Sequence, residues 1–132
     1  MTTVHSAPYA SPVHRPLSKG LNIACWALQV LAALGFLMAG GSKLASAPAM
    51  VEMFAKVGAG QWFRYLTGAL EVIGAVALLI PRATFYGAAL LSTVMVGAIV
   101  THLVIVGGSP IPALILLMIV GAVGWFRRPR AS

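Results

Sequence analysis

Acidic residues are nearly absent from this 132-residue chain: Glu52 and Glu71 are its two side-chain carboxylates, against nine Lys and Arg. Charged residues of both signs make up 8% of the chain and hydrophobic ones 60%, where a soluble domain carries about 25% and about 45 to 50%. A soluble fold is excluded, and so is a disordered protein, which needs low hydrophobicity and high charge. Cysteine is just as scarce. With Cys25 alone there is no disulfide framework, no CxxC motif and no haem-attachment spacing. Cys25 lies in an apolar run without a neighbouring base, so it reads as an inert packing thiol. No metal-ligand, Ser-His-Asp or phosphate-cradling spacing is present. The net charge of +7 is spread in ones and twos between apolar runs, which points to membrane orientation and away from nucleic acid.

What the chain does have is long apolar runs. Residues 1–16 hold Pro8, Pro12 and Pro16 without apolar periodicity and are expected to form a mobile tail. Leu21 to Ser42 then runs uncharged for 22 residues, about 33 Å of helix, enough to cross a hydrocarbon core. Ala45-Ser46-Ala47 has the small-x-small look of a signal-peptide cleavage site. However, the apolar stretch before it is about twice the usual h-region, and three more apolar runs follow. Between Ser46 and Gly60 the spacing of Met50, Met53, Phe54 and Val57 predicts a short amphipathic helix, with Ser46 as its cap and Glu52 four residues before Lys56. Trp62, Phe63 and Tyr65 read as an interfacial aromatic belt leading into a second span over 63–80. A Pro81-Arg82 turn precedes a third span over 83–106, and Ser109 and Pro110 open a fourth that ends near Phe126.

The expected fold is therefore an all-α integral membrane protein: four transmembrane helices over 17–128 in an antiparallel up-and-down bundle, with the amphipathic helix between spans one and two. Residues 129–132 form a short basic tail. Arg15, Lys19, Arg82, Arg127, Arg128 and Arg130 fall on one side and Lys43, Lys56 and Arg64 on the other, which places both termini in the cytoplasm. Gly35 with Ala39 and Gly97 with Thr101 are candidate small-residue helix contacts.

Polar groups at membrane depth are the natural candidates for function. Glu71 sits about 15 Å from the inner turn by the helical rise, where a lone carboxylate needs a partner or a proton. Thr67 and Arg64 share its helix face, Gln29 on span one is placed at about the same depth, and Lys43 follows on nearly the same face as Gln29. His102 belongs to the outer layer with Lys43 and Arg64. Two readings stand side by side. In one, Glu71 is the floor of an outward-facing ligand pocket, with Lys43, Arg64 and His102 around its mouth and Thr67 and Gln29 on its wall. In the other, Lys43 and Arg64 snorkel to headgroups, His102 bonds a carbonyl, and Glu71 makes a structural hydrogen bond to Gln29 or Ser92.

Three segments carry a resemblance: Ala39-Gly40-Gly41-Ser42-Lys43-Leu44, Thr67-Gly68-Ala69-Leu70-Glu71-Val72-Ile73-Gly74, and Leu78-Leu79-Ile80-Pro81. In these the chain resembles the DoxX-like membrane proteins, over nearly everything from span one to span four. The resemblance implies a small four-helix membrane protein, and in some members an association with quinone or thiol redox systems. The family's motif positions fall on Gly40, Lys43, Gly68 and Glu71. With no cysteine pair, haem ligands or flavin fingerprint, any redox role would run through a bound quinone or a partner protein. The preferred expectation is an accessory, small-molecule-binding subunit of a bacterial-type inner (plasma) membrane, in contact with the lipid bilayer and a membrane redox enzyme or quinone. Whether it forms homo-oligomers, and whether it has enzymatic activity, is left open. The alternatives are a small proton-coupled multidrug-type exporter in which Glu71 alternates between proton and cation, or a plain membrane scaffold.

Overall fold

The first helix opens at Ser18, whose side-chain oxygen accepts the Leu21 N–H at 3.2 Å and so satisfies one of the unpaired donors of the first turn. The computed structural model describes residues 16–129, and within them every regular element is helical. They are α1 (Lys19–Leu44), α2 (Pro48–Val57), α3 (Gln61–Leu79), α4 (Thr84–Thr101), which runs on into a π-helical turn at His102–Val106, and α5 (Ile111–Phe126). The expected N-terminal tail, apart from Pro16, and residues 130–132 of the basic tail lie outside the described residues.

Three helices are long and apolar enough to cross a membrane: Lys19–Leu44, Gln61–Leu79, and Thr84–Val106 counted through the π turn. The fourth expected span is present as α5, one residue shorter than expected, but it does not reach the length of the other three. At 16 residues, α5 measures about 24 Å against a hydrocarbon core of about 30 Å. Its start also differs from expectation. Pro110 is the cap and Ile111 the first helical residue, while the Ser109 hydroxyl accepts the Ile111 N–H at 3.3 Å. Ser46 does not cap α2 either. It sits in a turn with φ 58°, its hydroxyl 3.3 Å from the Tyr65 hydroxyl, and Ala47 precedes a helix started by Pro48. Gly58, at φ 78°, ends α2 in the left-handed conformation that glycine adopts without penalty. Glu52 and Lys56 form no ion pair, since among the described residues the only one is Lys43 with Glu71.

Contacts between named residues give the helix directions. Lys43 meets Glu71 while Gln29 meets Leu78, so α1 and α3 run antiparallel. A Cβ on Gly74 would strike Leu91 and one on Gly87 would strike Ala77, which sets α4 antiparallel to α3; Gly124 lies against Ala88 and Gly35 against Leu116, which seats α5 on α4 and α1. The core where they meet includes Phe36, Leu78, Leu91, Val120 and Val123. Outside it the surface is strongly apolar, with Met38 and Val104 each 75% exposed, as lipid contact requires.

The small-residue contacts are not the expected ones. Gly97 has open space where a Cβ would stand, and Gly35 meets only a Leu116 methyl at ordinary distance. The tight approach is Gly40 against Gly68: a Cβ on Gly40 would lie 2.8 Å from the Gly68 carbonyl oxygen, and one on Gly68 would lie 3.0 Å from the Gly40 carbonyl oxygen. No side chain fits at either position, so α1 and α3 touch backbone to backbone.

Candidate functional site

That contact positions the central polar group. Lys43 lies three residues after Gly40, and Glu71 three after Gly68, so each charge shares the face of its own glycine. In a helix the Cα–Cβ bond tilts toward the N-terminus. Lys43, near the end of α1, is therefore aimed back along α1 into the bundle. Glu71, eleven positions into the antiparallel α3, is aimed the opposite way to meet it. The ammonium nitrogen lies 2.9 Å from Glu71 Oε2 and 3.2 Å from Oε1, with both residues buried. Low dielectric strengthens this attraction, and it offsets a desolvation cost that neither group would bear alone.

Arg64 completes the clasp from above. It is 3% exposed, its Nη1 donates to the Lys43 carbonyl oxygen, its Nε donates to Gln61 Oε1 at 2.8 Å, and its guanidinium lies 4.2 Å from the Tyr65 ring centroid. The carbonyls of the last turn of α1 have no acceptor role left within the helix, and a cation there satisfies one of them and opposes the negative end of the helix dipole. Neither cation snorkels, and Glu71 bonds neither Gln29 nor Ser92.

Beside the clasp is a cavity of about 410 Å³, within the usual size of small-molecule sites. Lys43 and Ala39 contribute to its wall from α1, Phe54 and Val57 from α2, Thr67 and Leu70 from α3, Thr93, Gly97 and Thr101 from α4, and Pro112 and Leu116 from α5, with His102 at the π turn. Lys43, Thr67 and His102 thus come together as expected. Glu71 and Arg64 stand behind Lys43, off the cavity wall, so the carboxylate is not a pocket floor.

The donor and acceptor inventory of that wall is specific. Two of the three Lys43 N–H bonds go to Glu71, leaving one. Thr67, Thr93 and Thr101 each donate their hydroxyl proton to the carbonyl four residues back, at 2.8, 3.0 and 2.8 Å, and toward the cavity they can only accept. His102 Nδ1 lies 3.1 Å from the Gly107 carbonyl oxygen. A carbonyl only accepts, so the ring proton is on Nδ1 and a neutral His102 keeps Nε2 as an acceptor. The π turn that carries His102 is the kind of helix irregularity frequent at functional sites.

Gln29 is elsewhere. It lies level with Leu78, whose carbonyl oxygen accepts from Gln29 Nε2 at 2.8 Å and from Thr84 Oγ1 at 3.2 Å, seven residues further along α3 than Glu71. Its Oε1 accepts from Arg127 Nε at 2.9 Å, and Arg127 Nη2 also reaches the Asn22 carbonyl oxygen at 3.4 Å. Sequence reasoning assigned Arg127 to the interface alone. The signal available was the same tilt rule: a long cation one residue past the end of α5 points back toward the bundle.

A model of the DoxX-like family matches residues 27–126. The chain belongs to the DoxX-like family. The match spans both halves of the clasp, the cavity wall and Gln29, and it stops one residue short of Arg127. Of the positions on which the resemblance rests, Gly40 and Gly68 supply the close approach and Lys43 and Glu71 the ion pair it permits. Neither the curated proteins nor the solved structures give a match to the chain.

Proposed function

We propose that this DoxX-like protein is an accessory subunit of a bacterial-type plasma membrane that binds an amphipathic small molecule in the cavity beside Lys43. The observation that carries this reading is the company Lys43 keeps: one remaining ammonium N–H and one imidazole acceptor on a wall otherwise apolar or hydroxyl-lined. An apolar body with an oxygen-bearing ring as its head suits that wall, and a lipoquinone is the class expected of the family. Lys43 would donate to a ring carbonyl, and His102 Nε2 or the threonine oxygens would accept from a ring hydroxyl. A bound quinone supplies electron carriage between membrane enzymes; the chain's own part is to bind and orient it and exclude water. In this reading α5 crosses with the other three apolar helices, giving four spans with both termini cytoplasmic and the cavity toward the outer face.

The exporter reading asks Glu71 to exchange proton for cation at a ligand site. Both of its oxygens face Lys43 and it is off the cavity wall, so no observation favours that role.

The test uses decylubiquinone and the protein in phosphatidylcholine nanodiscs, with binding followed by equilibrium dialysis. Gly97→Leu puts a side chain where the cavity is open and leaves the clasp untouched. Saturable binding by wild type, lost in Gly97→Leu while helicity and melting temperature are retained, supports the proposal. Absence of saturable binding, or equal binding by Gly97→Leu, overturns it and leaves the scaffold reading.

A further inference from the structure

The opposite end of the molecule carries a second depression that the clasp and its cavity do not use. It is a groove of about 430 Å³ between the start of α4 and the end of α5. Small residues open it: Ala88 and Ala89 on α4, Gly121 and Gly124 on α5. A Cβ on Gly121 would meet nothing within 4 Å. Phe85 and Trp125 flank it, and Arg128 stands at its end with its guanidinium 3.8 Å from the Trp125 ring centroid. That stacking holds the charge in place without a counter-ion.

The charge balance at this end is one-sided. Arg127 and Arg128 lie here, while the two side-chain carboxylates of the chain are remote: Glu71 is closed by Lys43, and Glu52 is on α2, which packs on α3 and the π turn at the far end. Arg127 is occupied by Gln29 and the Asn22 carbonyl. Arg128 makes no ion pair or hydrogen bond among the described residues, and it is exposed at the mouth of an apolar trough that runs along helices already covered with lipid-facing side chains.

We propose that this groove binds an anionic phospholipid, one acyl chain lying between α4 and α5 and the headgroup phosphate on Arg128. Complementarity decides the occupant. Apolar trough, aromatic edge and, at one end, a guanidinium with no ion-pair partner among the described residues match a molecule with a long apolar body and a phosphate at its end, and a planar guanidinium pairs with phosphate oxygens in bidentate fashion. Basic pockets between membrane helices on the cytoplasmic side are a known way of holding such headgroups. A second copy of the chain would bring another Arg128 to the same place, and like charges disfavour it.

The test is lipid retention in nanodiscs of phosphatidylcholine and phosphatidylglycerol in equal amounts, released gently and read by native mass spectrometry. Wild type is expected to keep one phosphatidylglycerol in preference to phosphatidylcholine. Arg128→Gln is expected to lower that preference about fivefold, the scale of one basic residue at an anionic surface. Gly121→Leu fills the trough with the arginine in place and is expected to abolish retention of either lipid. If wild type shows no preference, or if Gly121→Leu keeps it, the groove is not the site and the proposal fails. Release of a dimer that Gly121→Leu dissociates would overturn it in favour of a second copy. Helicity and melting temperature of both variants, compared with wild type, serve as the folding control, independent of the lipid result.

Discussion

Two buried polar bridges join helices at opposite ends of this molecule, and they differ in kind. Toward the end of α1, Lys43 and Glu71 are both charged and both buried, and backbone contact at Gly40 and Gly68 forces them together. Toward its start, Gln29 is neutral: it takes a carbonyl of α3 on one side of its amide and the Arg127 guanidinium on the other. An amide can be satisfied wherever one donor and one acceptor are nearby. A buried charge requires its counter-charge at one distance and in one direction, so it needs a backbone arrangement that nothing else in the bundle needs. The cavity lies beside the charged bridge, and Lys43 belongs to both. The buried ion pair and the cavity wall thus meet at the same residue, whereas Gln29 lines neither that cavity nor the groove between α4 and α5.

If the two ends differ in this way, substitutions should separate them. The largest loss is expected at Gly68→Val, because its Cβ would stand 2.9 Å from the Lys43 Cβ and 3.0 Å from a backbone oxygen, and two helices would have to move apart. Thermal unfolding in detergent should show a loss of more than about 3 kcal/mol, or no folded protein, the scale of severe overpacking. Next are Lys43→Met and Glu71→Leu taken singly, each leaving an uncompensated buried charge at a cost of about 3 to 5 kcal/mol in the same assay. Gln29→Leu removes a bridge without stranding a buried charge of its own. It should cost about 1 to 3 kcal/mol, the scale of a buried polar group left unpaired. It should leave ligand binding at the far end unchanged, and a loss of binding there would erase the contrast. The smallest effect belongs to Gly97→Ala: with open space at its Cβ, α4 should gain up to about 1 kcal/mol from helix propensity alone.

Much of this was legible in the sequence, for reasons that also explain what was not. Helical spans, the α2 segment and its glycine stop follow from apolar period and turn chemistry, which are local. Glu71, Lys43, Arg64, Thr67 and His102 stood out because polarity in an apolar run is itself a signal. Their partnership was misjudged because depth was counted from helical rise alone. That count put Lys43 in an outer layer above Glu71 and made Gln29 its neighbour. Side-chain tilt reverses this, since α1 and α3 are antiparallel and the Lys43 stem spans the remaining distance. Arg127 was missed for the same reason, the rule that basic residues mark interfaces taking precedence over the direction of the side chain. The contact of Gly40 with Gly68 was hidden by the abundance of small residues: 14 glycines offer many spacings, and only the three-dimensional register selects one.

The central claim is that Lys43 and Glu71 act as one closed unit and not as two independent site residues. A double-mutant cycle tests it most directly: unfolding free energies of wild type, Lys43→Met, Glu71→Leu and the double variant in the same detergent. The expected result is a double variant far more stable than the sum of the single losses allows, with a coupling of roughly 3 kcal/mol, because removing both charges leaves neither one stranded. Single losses that simply add would contradict it and return Glu71 to a separate role.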